Sequence, residues 1–104
     1  SPPYFNTEKY SDEETQSYIK FPTQDEWTDG FLRKTIQNCH YGLKPNRYML
    51  INIANVKSFK HLEDTTVWIA EQEGFVLEEA YRLALSKISG NGFKYEPIFV
   101  FRKR

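Results

Sequence analysis

Cysteine is almost missing from this sequence: Cys39 stands alone among 104 residues. One thiol closes no internal disulfide and excludes a multi-cysteine zinc site. Neither sign of charge is in excess, because 14 basic and 14 acidic residues cancel. A module that grips a nucleic-acid backbone unaided normally has a basic surplus. Composition therefore argues against a free-standing DNA-binding domain and leaves room for a catalytic piece whose DNA grip lies elsewhere. No apolar run approaches the roughly 18 residues of a membrane-spanning helix. There is no signal-peptide pattern, no internal repeat and no low-complexity tract. The chain reads as soluble and cytoplasmic, with no membrane partner.

What is present is an ordinary globular balance, 39% hydrophobic and 27% charged, on a chain long enough for one small domain. Aromatic residues are frequent, with seven Tyr, eight Phe and two Trp, and such side chains fill cores or stack on bases. Residues 1–22 are polar, hold an acidic stretch from Asp12 to Glu14, and read as a loop. Thr23 and Glu26 have the spacing of a capping box. Trp27, Phe31, Leu32, Thr35, Ile36 and Cys39 follow at helical spacing, Gly42 suits the end of that helix, and Pro45-Asn46 suits a turn. Tyr48 to Ile53 is nearly all apolar, the pattern of a strand buried on both faces of a parallel sheet.

A second helix fits Leu62 to Glu73, closed by Gly74. Phe75 to about Leu85 reads as a strand, Ser89 to Gly92 as a turn-rich loop, and Tyr95 to Phe101 as a final strand. Pro97 places that strand's position near its start or at an edge. The fold class expected is α/β: helix-strand-helix-strand with parallel pairing, then an antiparallel final strand, half of an open sheet.

The most informative residues are Ser1-Pro2-Pro3-Tyr4. They resemble the (S/D/N)-P-P-(Y/F) motif of amino-methyltransferases that modify exocyclic amines of DNA bases. An exocyclic amine is a poor nucleophile because its lone pair is delocalised into the ring. Acceptors on its two N–H groups return density to nitrogen and orient it. The resemblance assigns those acceptors to Ser1 and the Pro2 carbonyl. The two prolines, Pro2 and Pro3, stiffen the loop, and Tyr4 stacks on a flipped base. The likeness extends in order along nearly the whole chain. Glu26-Trp27 resembles the Trp that opens the next helix. Leu43-Lys44-Pro45-Asn46-Arg47 and Tyr48 to Ile53 resemble a Leu-Lys-Pro turn feeding a hydrophobic strand. Glu96-Pro97-Ile98-Phe99-Val100-Phe101 resembles the closing E-P-hydrophobic strand.

The resemblance implies a partial Rossmann-like methyltransferase sheet. It makes residues 1–104 a single catalytic subdomain that uses S-adenosylmethionine in the complete enzyme, reaches double-stranded DNA through that enzyme, and comes from a prokaryote or phage. Ser at the first motif position favours cytosine N4 over adenine N6. Phe5, Asn6 and Phe93 are the candidates to line the base site, and Trp27 to wall the cofactor site. Two departures stand out. No F-x-G-x-G-like cofactor loop occurs, since the five glycines fall at helix ends and in turns. The ribose-binding acid is also missing. A truncated piece is therefore expected, inactive by itself and prone to self-association through an exposed sheet edge. Two alternatives stay open: methylation of RNA or of protein glutamine amides through the same kind of motif, and a non-enzymatic α/β interaction module.

Single residues also have plainer roles. Lys87 and Lys94 flank the Gly-rich turn, where lysines reach phosphates or simply face solvent. Asn52 and Asn55 are expected to be structural, hydrogen-bonded groups, and Cys39 and Trp68 to pack. His40 and His61 lack ligand spacing, so no metal site is expected.

Overall fold

The computed structural model describes residues 23–87 and 93–104. Its first element is one helical run in three parts: α1 (Gln24–Trp27), a π-helical turn (Thr28–Leu32) and α2 (Arg33–Gly42). The run starts where the capping pattern places it, with the Glu26 amide donating to Thr23 Oγ1 at 3.1 Å. The π turn follows from spacing. Trp27, Leu32 and Ile36 are the buried residues of this run, and the step from 27 to 32 is five residues. An α-helix would carry one of that pair off the inner face, whereas a π turn keeps both on it. Thr28 Oγ1 donates to the Gln24 carbonyl and Thr35 Oγ1 to the Phe31 carbonyl, both at 2.8 Å, on either side of the irregular turn.

The helix ends on a cation. Lys103 Nζ donates to the carbonyls of His40 at 2.6 Å and Leu43 at 2.7 Å, satisfying groups that the last helical turn leaves open. Asn46 takes a left-handed conformation (φ 65) in the turn that follows. Strand β1 (Tyr48–Asn52) then leads through a loop to α3 (Leu62–Gln72), β2 (Phe75–Lys87) and β3 (Phe93–Lys103). Between α3 and β2 Gly74 has φ +99, and a Cβ there would lie 2.6 Å from His40 Nε2. Conformation and space both require glycine.

The sheet order is β1-β3-β2, with both pairings antiparallel. The fold is thus mixed α/β, as expected, but the parallel neighbours expected of β1 and β2 are not formed. The two strands run in the same direction with β3 inserted between them. The reason lies in where the apolar run is densest. Ile98 to Phe101 of β3 are four consecutive apolar residues with Phe99 and Phe101 buried, the pattern of a central strand. β3 also zips to its sequence neighbour β2 over eleven registered pairs, and its other side remains for β1.

β1 is not buried on both faces: Met49 is buried, while Tyr48 is 52% and Leu50 63% exposed. Pro97 likewise sits within the middle strand rather than on an edge strand. Its missing N–H is tolerated because it lies where the β1 ladder stops. Ile98 pairs with Asn52, the last residue of β1, and the Pro97 carbonyl accepts from the Ile53 amide at 3.4 Å.

Register partners share a face. Met49, Phe101 and Leu77 line one face together with Ile51, Phe99 and Ala80, and Phe75 lies two residues along from Leu77 on the same side. The core gathers there: Trp27, Leu32, Ile36, Ile69 and Ala70 from the helices against Met49, Phe75, Phe99 and Phe101. Burying each large apolar side chain contributes roughly 1.5–3 kcal/mol. The opposite face bears Tyr48, Leu50 and Tyr81, all largely exposed. Arg33 ties the two long helices together. Its guanidinium donates to Glu73 at 2.8 Å and to Gln72 at 3.0 Å, and lies 5.7 Å from the Trp68 ring centroid. No helix among the described residues is long and apolar enough to cross a membrane.

Candidate functional site

The C-terminal end of β1 is the most structured irregular region. The Asn55 amide donates to Glu63 Oε2 at 2.9 Å, and the Glu63 amide donates back to Asn55 Oδ1 at 2.8 Å. This reciprocal pair caps the start of α3 from eight residues upstream, doing the work of a local N-cap. Asn52 Nδ2 donates to the Pro97 carbonyl at 3.3 Å and fastens the end of β1 to the centre of the sheet. Both asparagines therefore have the structural bonds expected of them.

Past this point β2 and β3 continue without β1. Residues 83–87 and 93–96 pair only with each other, forming a two-stranded arm about 16 Å long at ~3.3 Å per residue. At its base the Arg82 guanidinium lies 4.4 Å from the Tyr95 ring centroid, a cation–π stack. Glu63, Arg82, Tyr95, Glu96 and Pro97 line a shallow depression of about 280 Å³ beside it. Guanidinium, phenol and two carboxylates in an open hollow can hydrogen-bond and stack, and they supply no activated nucleophile.

A second hollow, also about 280 Å³, is apolar and runs along the outer edge of β1, lined by Leu32, Thr35, Ile36, Cys39, Met49, Leu50 and Ile51. β1 and β2 are the two edge strands. In β1 neither charge nor proline blunts that edge, the feature that invites a further strand.

Ser1, Pro2, Pro3, Tyr4, Phe5 and Asn6 lie outside the described residues, as does the Gly90–Gly92 turn. Phe93 opens β3, paired with Lys87 at the far end of the arm. Trp27 lies wholly within the core, its ring centroid 5.5 Å from that of Phe31 and 6.1 Å from that of Phe59. Packed this way, it exposes no face to a cofactor. Gly42 ends a helix and Gly74 fits against His40; neither builds a nucleotide cradle after a strand. The described residues thus do not fit S-adenosylmethionine. Among them there is also no group of three or more His, Cys, Asp or Glu able to hold a metal ion. Cys39 is half-buried against the core, and the His40 ring stands edge-on to Phe75 at 5.2 Å.

Two features were missed in the sequence reading. The Asn55–Glu63 pair has no i,i+3 signature, and the Arg82–Tyr95 stack depends on a register that passes a bulge between Ala84 and Ser86. No family model, curated protein or solved structure matches this chain.

Proposed function

We propose that the chain forms the catalytic loop and supporting sheet of an S-adenosylmethionine-dependent DNA amino-methyltransferase, acting on cytosine N4 in preference to adenine N6. The observation that supports this reading best is the pairing of two distant blocks. The resemblance picks out Leu43 to Ile53 as a turn and strand, and Glu96 to Phe101 as a closing hairpin strand. These blocks are β1 and β3, registered from Tyr48–Arg102 to Asn52–Ile98. A coincidental four-residue motif at Ser1–Tyr4 would not require the rest of the chain to order itself so.

On this reading β1, β2 and β3 are one end of a larger Rossmann-like sheet, and the apolar hollow along β1 is covered by further sheet. The chain alone then self-associates through that edge. S-adenosylmethionine supplies an electrophilic methyl group when bound, at a site built from residues beyond those described. The chain's own contribution is orientation. Ser1 and the Pro2 carbonyl accept hydrogen bonds from the target amine, Pro2 and Pro3 hold those acceptors in place, and Tyr4 stacks on the extruded base. These residues would serve as hydrogen-bond acceptors that orient the amine, and none of them would have to act as a strong base.

The test is labelled methyl transfer to duplex DNA by the complete reading frame that encodes this chain. Ser1→Ala and Tyr4→Ala should each lower the rate by roughly two orders of magnitude, the scale of a lost positioning contact, while the sheet stays folded. Label appearing in RNA or protein instead would replace the DNA reading with one of the related amino-methyltransferases. No label in any acceptor, with no cofactor binding, would make the chain an α/β interaction module.

A further inference from the structure

The open edge of β1 has a defined hydrogen-bonding pattern. The Lys103 amide donates to the Arg47 carbonyl at 2.8 Å, and the Ile53 amide donates to the Pro97 carbonyl at 3.4 Å. Backbone groups alternate sides along a strand. Residues 47, 49, 51 and 53 therefore turn their N–H and C=O toward β3, and those of Tyr48 and Leu50 point outward. The same edge borders the apolar hollow, where Met49 and Ile51 meet Leu32, Thr35, Ile36 and Cys39. β2, the other edge strand, is built differently. Its register shifts after Leu77 and again after Ala84, and it carries Glu78, Glu79 and Arg82, features that discourage pairing. Charge is also divided along β1. The helical run descends antiparallel to it, since Trp27 packs on Phe59 beyond the end of β1 and the His40 carbonyl accepts from Lys103, beside its start. Near Tyr48, Lys44 and Arg47 are exposed, and no described carboxylate pairs with either. Near Asn52, the start of the helical run exposes Asp25, Glu26 and Asp29, of which only Asp29 has an ion-pair partner, Arg33 at 3.4 Å. Glu63 and Asp64 open α3 at that end, against Lys57 and Lys60 in the preceding loop.

We infer that β1 pairs with β1 of a second copy of this chain, antiparallel about a two-fold axis at Leu50. The outward N–H and C=O of Leu50 then bond their own counterparts across the axis. Met49 lies opposite Ile51 on the helix-covered face, and the two hollows join into one apolar seam. The antiparallel direction follows from charge: it brings Lys44 and Arg47 of each copy toward Asp25, Glu26 and Asp29 of the other. A parallel pairing would set Lys44 and Arg47 against their own copies and send the two helical layers to opposite faces of the sheet, leaving both hollows open. Like charges so opposed disfavour that arrangement. Because β2 is blunted, the contact closes on itself as a dimer and does not extend into a filament. The dimer deepens the self-association drawn from the methyltransferase reading, and rests on that reading only in taking residues 1–104 as the associating unit.

The test is sedimentation velocity of the 104-residue chain at ~0.05 and ~0.5 M NaCl, with the dimer expected at both and weaker at the higher salt. Two kinds of variant separate the parts of the proposal. Leu50→Pro removes an outward N–H without removing a bond between β1 and β3, and should leave a folded monomer. K44E/R47E makes both ends of the interface acidic, and D25K/D29K makes both basic. Each should weaken its own dimer roughly tenfold or more through like-charge repulsion. Mixed in equal amounts, the two charge variants should recover a heterodimer of wild-type strength, which only an antiparallel pairing predicts. Circular dichroism identifies any variant that fails to fold; if Leu50→Pro does, the charge-variant mixture decides.

A dimer that survives Leu50→Pro in a folded chain would overturn the edge pairing, as would a mixture of charge variants no tighter than either alone. A monomeric wild type would overturn it too, and hydrogen exchange on that monomer would say what takes the edge instead. A protected Leu50 amide would assign the edge to residues 1–22 of the same chain, and a freely exchanging one would leave it to a foreign strand. Methyl transfer by the complete reading frame, with this chain monomeric, would remove the dimer and leave the catalytic reading. A dimer with the expected variant pattern and no methyl transfer would do the reverse.

Discussion

The two halves of the β2–β3 hairpin share one ladder and little else. At its root Phe75, Phe99 and Phe101 are buried beneath both long helices; in its arm Leu83 and Tyr95 are 40% and 43% exposed. Backbone hydrogen bonds are continuous through both halves apart from two register shifts, so the ladder cannot be what separates them. Side-chain burial is. Net stability of a hydrogen bond is small because water competes for each partner, whereas burial is rewarded in proportion to apolar area. The root therefore holds the fold, and the arm is held by the root.

Phe101→Ala is the strongest test of that contrast. Its ring is fully buried, with centroids 6.2 Å from Phe75 and 6.1 Å from Phe99, so truncation leaves a cavity that neighbours on three strands cannot close. The expected loss is about 3–5 kcal/mol, a large part of the stability of a domain this size. Urea unfolding followed by tryptophan fluorescence would measure it. A loss below about 1 kcal/mol would show that the root is not where the fold is anchored.

A smaller effect is expected at the junction between the halves. Asn55→Ala removes the side chain that accepts from the Glu63 amide and exposes the start of α3. The expected cost is about 1 kcal/mol, the range of a lost N-cap. Hydrogen exchange should show the first turn of α3 losing protection while β3 keeps it. Loss of protection throughout the sheet would mean that the junction, rather than the aromatic root, sets global stability.

How much of this was legible in the sequence follows the range of each interaction. The first helix was readable because its cap is three residues long and its stripe repeats locally; the π turn was not, because Phe31, four residues after Trp27, lets the stripe read as regular α-helical spacing while the structure buries Leu32 instead. Gly74 was readable as a helix end for the same reason. Strand order was not. Tyr48 to Ile53 and Ile98 to Phe101 are both apolar runs, and which of them lies at the centre depends on the hairpin partner Phe75–Lys87 competing for one side of β3. Asn55 looked like a buried polar residue in need of a partner, but nothing local named Glu63. For the candidate site, the motif at Ser1–Tyr4 is a local pattern and was found at once. The arm's base was not, because Arg82 meets Tyr95 only through a register displaced by a bulge.

The smallest expected effect is the sharpest discriminator between root and arm. Leu83→Thr keeps a strand-compatible side chain at a position 40% exposed and paired with Glu96. If the arm adds nothing to the packed core, the change should cost about 0.5 kcal/mol or less, as for surface substitutions generally. The urea midpoint should then barely move, with an unchanged slope. A cost approaching that of Phe101→Ala would mean that the arm buries Leu83 against something, and the division of the hairpin into a supporting root and a free arm would fail.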